Sequence, residues 1–348
     1  MTMRLTLEII RSQQALEALR PEWDALHARC DAKAFFNDHR AVMLNWARHR
    51  EARSNSLHIV TMRQSGELVF AAPMIQQRDR IGTSTLKWLT SLTPLYDDVL
   101  IAPEADVDVI AGQFARHVRS IPFARKLKAS IVREDSSLNA ILSGMGPVDS
   151  SEHPALEADL TGYADRDAYF ASKPAKSRKR FRLYFNRLSQ IGETKFNLIG
   201  ADSDLKPEIS WIFDVKRDWA LERSGDKGWI SQPETEQWFQ SFSEELTQKS
   251  KVLTLTCGDK RVVSALFFIH QDTLFGSKIA YDPEFSHASP GLLLMVELCR
   301  VAIDLGMRRV DIMTGDSSWK RRFATFSVPI NSYRLSLDPW RLHGKKWV

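Results

Sequence analysis

Between residues 276 and 320 a strand, a tight loop, an apolar helix and a second strand follow one another with almost no linker, and few folds accommodate that order. Residues 275–281 read as a strand that Asp282-Pro283 ends, because proline lacks an N–H and restricts the residue before it. Ser289 stands where an N-cap belongs and Pro290 suits the first helical position. Gly291 leaves the first turn without a side chain, so an anion can approach the free N–H groups closely. The apolar run from Leu292 to Ile303 makes the helix, and Gly306 suits a left-handed cap. A short strand at 309–313, a turn at Thr314-Gly315-Asp316 and the aromatic and basic run 319–323 complete the stretch. Strand, helix and strand with short connections predict a buried βαβ unit whose helix starts beside the carboxyl end of the first strand, where such sheets hold phosphate-bearing ligands. Ser-Pro-Gly is also an ordinary helix start in many helices that bind nothing, and spacing alone favours that plainer reading.

The chain has 348 residues, about twice a typical domain, which predicts two domains. No run approaches the roughly 18 apolar residues of a membrane span, and the first residues lack a signal-peptide core, so a cytoplasmic protein is expected. Cys30, Cys257 and Cys299 are far apart, and neither they nor the histidines show metal-ligand spacing; a reducing compartment and no metal follow. No Gly-x-Ser-x-Gly, Walker loop or dinucleotide fingerprint is present.

Along the first half, alternation predicts a strand at 5–10, a helix at 12–28, an aromatic-rich helix around 35–46, a hairpin over 57–75, strands at 86–89 and 99–101, a helix at 106–120 and a closing strand at 127–132. A cluster of Gly, Pro, Asp and Ser at 144–154 marks a boundary. The second half repeats the order: aromatic-rich helices at 211–221 and 234–246, then a hairpin over 252–270. Ala71 and Ala265, and Ile75 and Ile269, fall at matching places, which predicts a duplicated α/β unit, 1–155 and 156–348. The first copy has no Ser-Pro-Gly start near Asp106, so a phosphorylated ligand is expected in the second.

A basic helix is expected at 173–190, where seven cations between Lys173 and Arg187 meet no acid. Arg178 and Arg182 share one face, with Lys179 beside them, and suit a nucleotide-sugar, a lipid-linked pyrophosphate, an anionic glycan or tRNA; a merely solvated face is the competing reading. The net charge of +5 and the absence of a nucleic-acid module argue against nucleic acid as the main partner.

Tyr281-Asp282-Pro283, Ser289-Pro290-Gly291 with Leu293-Leu294, then Asp311, Gly315 and Trp319-Lys320 resemble the GNAT-like acyltransferases of the CelD type, associated with bacterial cellulose and exopolysaccharide synthesis. These are similar in turn to the Fem peptidyltransferases, built from two GNAT units. The resemblance implies an α/β (α+β) chain of two tandem GNAT-like units, each a mixed sheet flanked by helices, the second catalytic. It implies acyl transfer from acetyl-CoA or another acyl-CoA to an amine or hydroxyl of a small molecule or glycan precursor, alongside polysaccharide synthesis machinery. Strand 262–270 is then expected to carry the pantetheine, with backbone N–H groups near Leu266 and Phe267 as oxyanion donors, and Ser289, Pro290 and Gly291 to receive the pyrophosphate. Asp311, a lone carboxylate in an apolar strand, is the candidate base or else a structural partner of Lys320 or an arginine. Tyr281 is the candidate proton donor to the thiolate, and Lys320 a partner for a ligand anion; packing and solvation are their alternatives. The loop before Ser289 lacks the Gln/Arg-x-x-Gly-x-Gly/Ala pattern, which keeps aminoacyl-tRNA as a second donor and a non-catalytic regulator of a polysaccharide synthase as a third reading.

Overall fold

The computed structural model describes residues 5–92, 95–200, 203–224, 228–315 and 318–337, so the expected turn residue Asp316 lies outside the described residues. The chain forms two compact units, divided between Glu152 and His153, and the second ends at Ser327.

The first unit begins with β1 (Leu5–Ile10), α1 (Gln13–Ala18) and α2 (Arg20–Arg29). The single helix expected over 12–28 is therefore two. Pro21, in the first turn of α2, has no N–H to continue the ladder, and Leu19 closes one helix while opening the next. There follow α3 (His39–His49), β2 (Asn55–Leu57), β3 (Ile59–Gln64), β4 (Glu67–Ala72), β5 (Met74–Arg78), β6 (Ser84–Trp88), β7 (Leu100–Ile101), α4 (Val107–Ser120), β8 (Ala124–Arg133), α5 (Ser137–Leu142) and β9 (Val148–Ser150). The β3–β4 hairpin turns at Ser65 and Gly66, both at positive φ, as a two-residue loop requires. His58 separates β2 from β3, and Pro73, which cannot donate to a ladder, separates β4 from β5, dividing the strands into two sheets.

The second unit contains β10 (Ala155–Asp159), α6 (Arg166–Ser172), α7 (Ala175–Ser189), β11 (Thr194–Ile199), α8 (Lys206–Ser224), α9 (Pro233–Glu245), β12 (Ser250–Cys257), β13 (Lys260–His270), β14 (Thr273–Tyr281), α10 (Pro290–Asp304), β15 (Arg309–Thr314), α11 (Ser318–Arg321) and β16 (Phe326–Val328). One sheet runs β11-β12-β13-β14-β15-β10-β16, with β14 and β15 parallel and joined by α10, the predicted βαβ unit. Leu293, Leu294, Met295, Leu298, Cys299 and Ala302 of α10 are buried against Val263, Ala265, Phe267, Val310 and Ile312; each large apolar side chain so buried contributes about 1.5–3 kcal/mol.

The last strand, β17 (Ile330–Ser336), returns to the first unit and pairs with β8 and β9. This corrects the expectation that everything after 155 belongs to the second unit. Continued across the interruptions, the first unit reads β1, β3 with β2, β4 with β5, β7 with β6, β8, β17, β9. That is the strand order of the second unit, position for position. The parallel pairs β6–β8 and β14–β15 match, each joined through a helix. The duplication read from element order is thus present in the topology, with one strand of each sheet exchanged: β10 fills in the second unit the place that β17 fills in the first.

Candidate active site

β14 follows β13 along its whole length, but it pairs with β15 only from Thr273–Arg309 to Phe275–Asp311. The cause is visible in the register. Phe267 faces Gly276 and Leu266 faces Lys278, so Ser277 is an extra residue, and a bulge bends the strand that carries it. At Gly276 a Cβ would lie 3.4 Å from the Asp311 carbonyl oxygen, so glycine permits the close approach just before the strands part. The sequence reading placed this opening at Leu266 and Phe267. Both are fully buried, and β13 is laddered on its two edges by β12 and β14, which leaves no strand edge for a ligand. The opening belongs instead to β14 and Ser277, whose Oγ is buried without a hydrogen-bond partner.

Beyond the opening, a 3-10 turn over Pro283–Ala288 delivers Ser289 in the left-handed region, at φ 46° and ψ 58°. Ser289 holds the N-cap position as expected but makes no side-chain cap bond, because that bond needs an extended backbone. Among the described residues a Cβ at Gly291 would meet nothing within 4 Å, so open space lies against the first turn of α10. In the first unit, the Asp106 carboxylate accepts from the N–H groups of Asp108 and Val109 and so occupies the start of α4 with its own anion. Of the two corresponding helices, the second has the open N-terminus.

Ser289, Pro290 and Gly291 line a cavity of ≈ 490 Å³ together with Tyr281, Trp219 and Trp319. Three cations, Arg180, Lys216 and Arg322, also line it, and among the described residues no carboxylate does. The basic helix α7 therefore reaches the cavity, but through Arg180 and Tyr184, one turn apart, and not through the face marked in the sequence. Arg178 donates to the Ala171 carbonyl, Arg182 lies 5.7 Å over the Phe170 ring, and Lys179 is exposed. Phe181 and Phe185 pack against the core of the unit, and this fixes which face of α7 turns to the cavity.

Asp311 and Lys320 come together at the end of β15. Asp311, 1 % exposed, accepts from the N–H of Met313, itself at positive φ. The Lys320 amine donates to the carbonyls of Ile312 (3.0 Å) and Thr314 (2.8 Å). Burial brings Lys320 down to about 8; the Asp311 carboxylate opposes this and Lys216 adds to it. Sequence reasoning missed Lys278, 6 % exposed in β14, with its amine 4.5 Å from the centre of the Phe239 ring and 5.2 Å from that of Trp229. Burial, then the charges of Lys216 and Lys320, lower it to about 7. The signal that singled out Asp311, one charge in an apolar strand, applies equally to Lys278.

Residues 175–321 match the family model described as acetyltransferase (GNAT) domain. No curated protein matches the chain. Among solved structures, the chain is similar to FemX at 10% identity and a TM-score of 0.59, covering 97% of this chain and 99% of that one. It is similar to the C-terminal domain of a putative lysylphosphatidylglycerol synthetase from Agrobacterium fabrum at 12% identity and a TM-score of 0.55, covering 94% and 93%. L-PGS from Bacillus licheniformis gives 12% identity and a TM-score of 0.55, covering 92% and 91%. The fold is a mixed α/β tandem of GNAT-like units.

Proposed function

We propose that the second unit transfers an acyl group, acetyl in the simplest case, from an acyl-CoA to an amine or hydroxyl of a sugar or of an envelope or exopolysaccharide precursor. The observation that carries this reading is the cavity at the start of α10, with Gly291 bare, no side-chain cap, and, among the described residues, three cations and no carboxylate in its wall. Such a wall suits a polyphosphate beside an apolar arm. Gly291, Arg180 and Arg322 are suited to hold the phosphates, and the gap between β14 and β15 to admit the arm. The thioester supplies an activated acyl carbon. Asp311 takes the proton of the attacking amine or hydroxyl as the new bond to that carbon forms, and the thiolate released as the carbon–sulfur bond breaks takes its proton from water. Tyr281, opposite Val263 and six residues along β14 from the partner of Asp311, lines the cavity wall instead. Lys320 acts as a positioning residue that fixes the end of β15 through two carbonyls.

Isothermal titration with acetyl-CoA tests the reading. Binding is expected for the wild type, and Gly291→Asp, which sets a carboxylate at the helix start, is expected to weaken it by at least about tenfold. No binding, or binding indifferent to Gly291→Asp, sinks the proposal.

One observation favours a second donor. The loop before α10 is a 3-10 turn without the usual phosphate-loop glycines, and a helix rich in exposed cations borders the cavity. Aminoacyl-tRNA fits those features. Salt-sensitive tRNA binding that is lost in Lys179→Glu with Arg182→Glu supports this donor, and indifference to tRNA ends it.

A further inference from the structure

Three lysines from three elements meet beside the opening: Lys216 from α8, Lys278 from β14 and Lys320 from α11. Lys216 acts through its charge on both Lys278 and Lys320, and the charged groups acting on Lys278 are both cations. Asp311 is the carboxylate that acts on Lys320, and it already holds the Met313 N–H. Among the described residues, none of the three lysines makes an ion pair. Lys278 donates to the Ser277 carbonyl (3.1 Å) under two aromatic rings, and next to it the buried Ser277 Oγ has no partner. Of the three only Lys278 is buried, with Lys216 and Lys320 half-buried beside it; burying a charge without a counter-charge is costly, and so is burying an unpaired hydroxyl. Both costs fall on adjacent residues of β14, and an anion bound beside them relieves both.

We infer that Lys278, Lys216 and Ser277 form a subsite for an anionic group, a carboxylate or a phosphate, carried by the acceptor. That the ligand is the acceptor rests on the acyl-transfer reading; that it is an anion does not. The site selects charged acceptors, such as a uronic acid or a sugar phosphate, over their neutral counterparts. The acceptor's amine or hydroxyl then lies near the Ser277 bulge, where β14 leaves β15.

The test is calorimetry on the full chain at neutral pH in two buffers of different ionisation heat, comparing galacturonic acid with galactose and glucose 1-phosphate with glucose. One charged sugar is expected to bind at least about tenfold tighter than its neutral partner, and which one does so separates carboxylate from phosphate. Proton uptake on binding is expected, because Lys278 titrates near neutrality and an anion raises it. Lys278→Met, of similar length and uncharged, is expected to abolish both the preference and the uptake; Lys216→Met reduces the preference if Lys278→Met proves unfolded by circular dichroism. Equal binding of charged and neutral sugars, no binding of either anion, or a preference that survives Lys278→Met overturns the inference. In the last case Lys278 is only a lysine packed under Trp229 and Phe239. Acetyl-CoA titrated in parallel keeps the two proposals apart: its failure to bind removes the acyl-transfer reading and leaves the anion site standing.

Discussion

Lys278 shows how far a single residue can be read. Its charge, in a strand otherwise apolar at the core, was as visible in the sequence as that of Asp311. What the sequence hid was its surroundings, since a ring from α9 and another from the 3-10 turn at Trp229–Ser231 reach it only in the fold. The energetic consequence has a definite sign. Lys278 lies at about 7 in the folded chain against an ordinary 10.5, so between those values the unfolded chain binds more protons and stability rises with pH. Below about 7 the lysine is charged in both states and its burial is a full cost. Lys278→Met is therefore expected to raise the unfolding free energy by a few kcal/mol in mild acid, a gain that fades as pH climbs toward 10.5, measured by urea denaturation across the range. Destabilisation at all pH values contradicts this account.

At the scale of elements, the strand–helix–strand between 273 and 314 was legible because proline, glycine and apolar periodicity all marked it locally. The face of α7 that meets the cavity was not, because Phe181 and Phe185 choose it by packing against other segments. Nor was the identity of the parted strand: whether β13 or β14 opens depends on register, and Ser277 as an extra residue has no signature in the chain. Ser289 is a further case, a serine in the place of a cap that the preceding turn forces into the left-handed region. Ser289→Gly removes that strain and is expected to stabilise the second unit by about 1 kcal/mol in chemical denaturation. A loss of stability of that size means that the hydroxyl does more than its backbone suggests.

For the whole molecule, composition and element order foretold two copies of one unit, and the shared strand order carries that reading. The exchange of β10 and β17 was beyond reach, since pairing between residues 126–133 and 330–336 is set by partners two hundred positions apart. The exchange makes the two units inseparable by a single cut. A fragment of residues 1–152 lacks β17, so β8 and β9 lose the strand between them and present open edges. Such a fragment is expected to aggregate or to melt without a cooperative transition by circular dichroism, and a folded, monomeric 1–152 shows the exchanged strand to be dispensable.

The position of β17 also bears on how the protein is made. Chains ordinarily fold from the amino end while still attached to the ribosome. Here the unit encoded first waits for residues 330–336, which leave the exit tunnel only after the whole second unit. The later-encoded unit is free to fold first, and until β17 emerges the nascent chain holds an incomplete sheet for chaperones to shield. A stop codon within residues 330–336 thus strikes the unit that is encoded first.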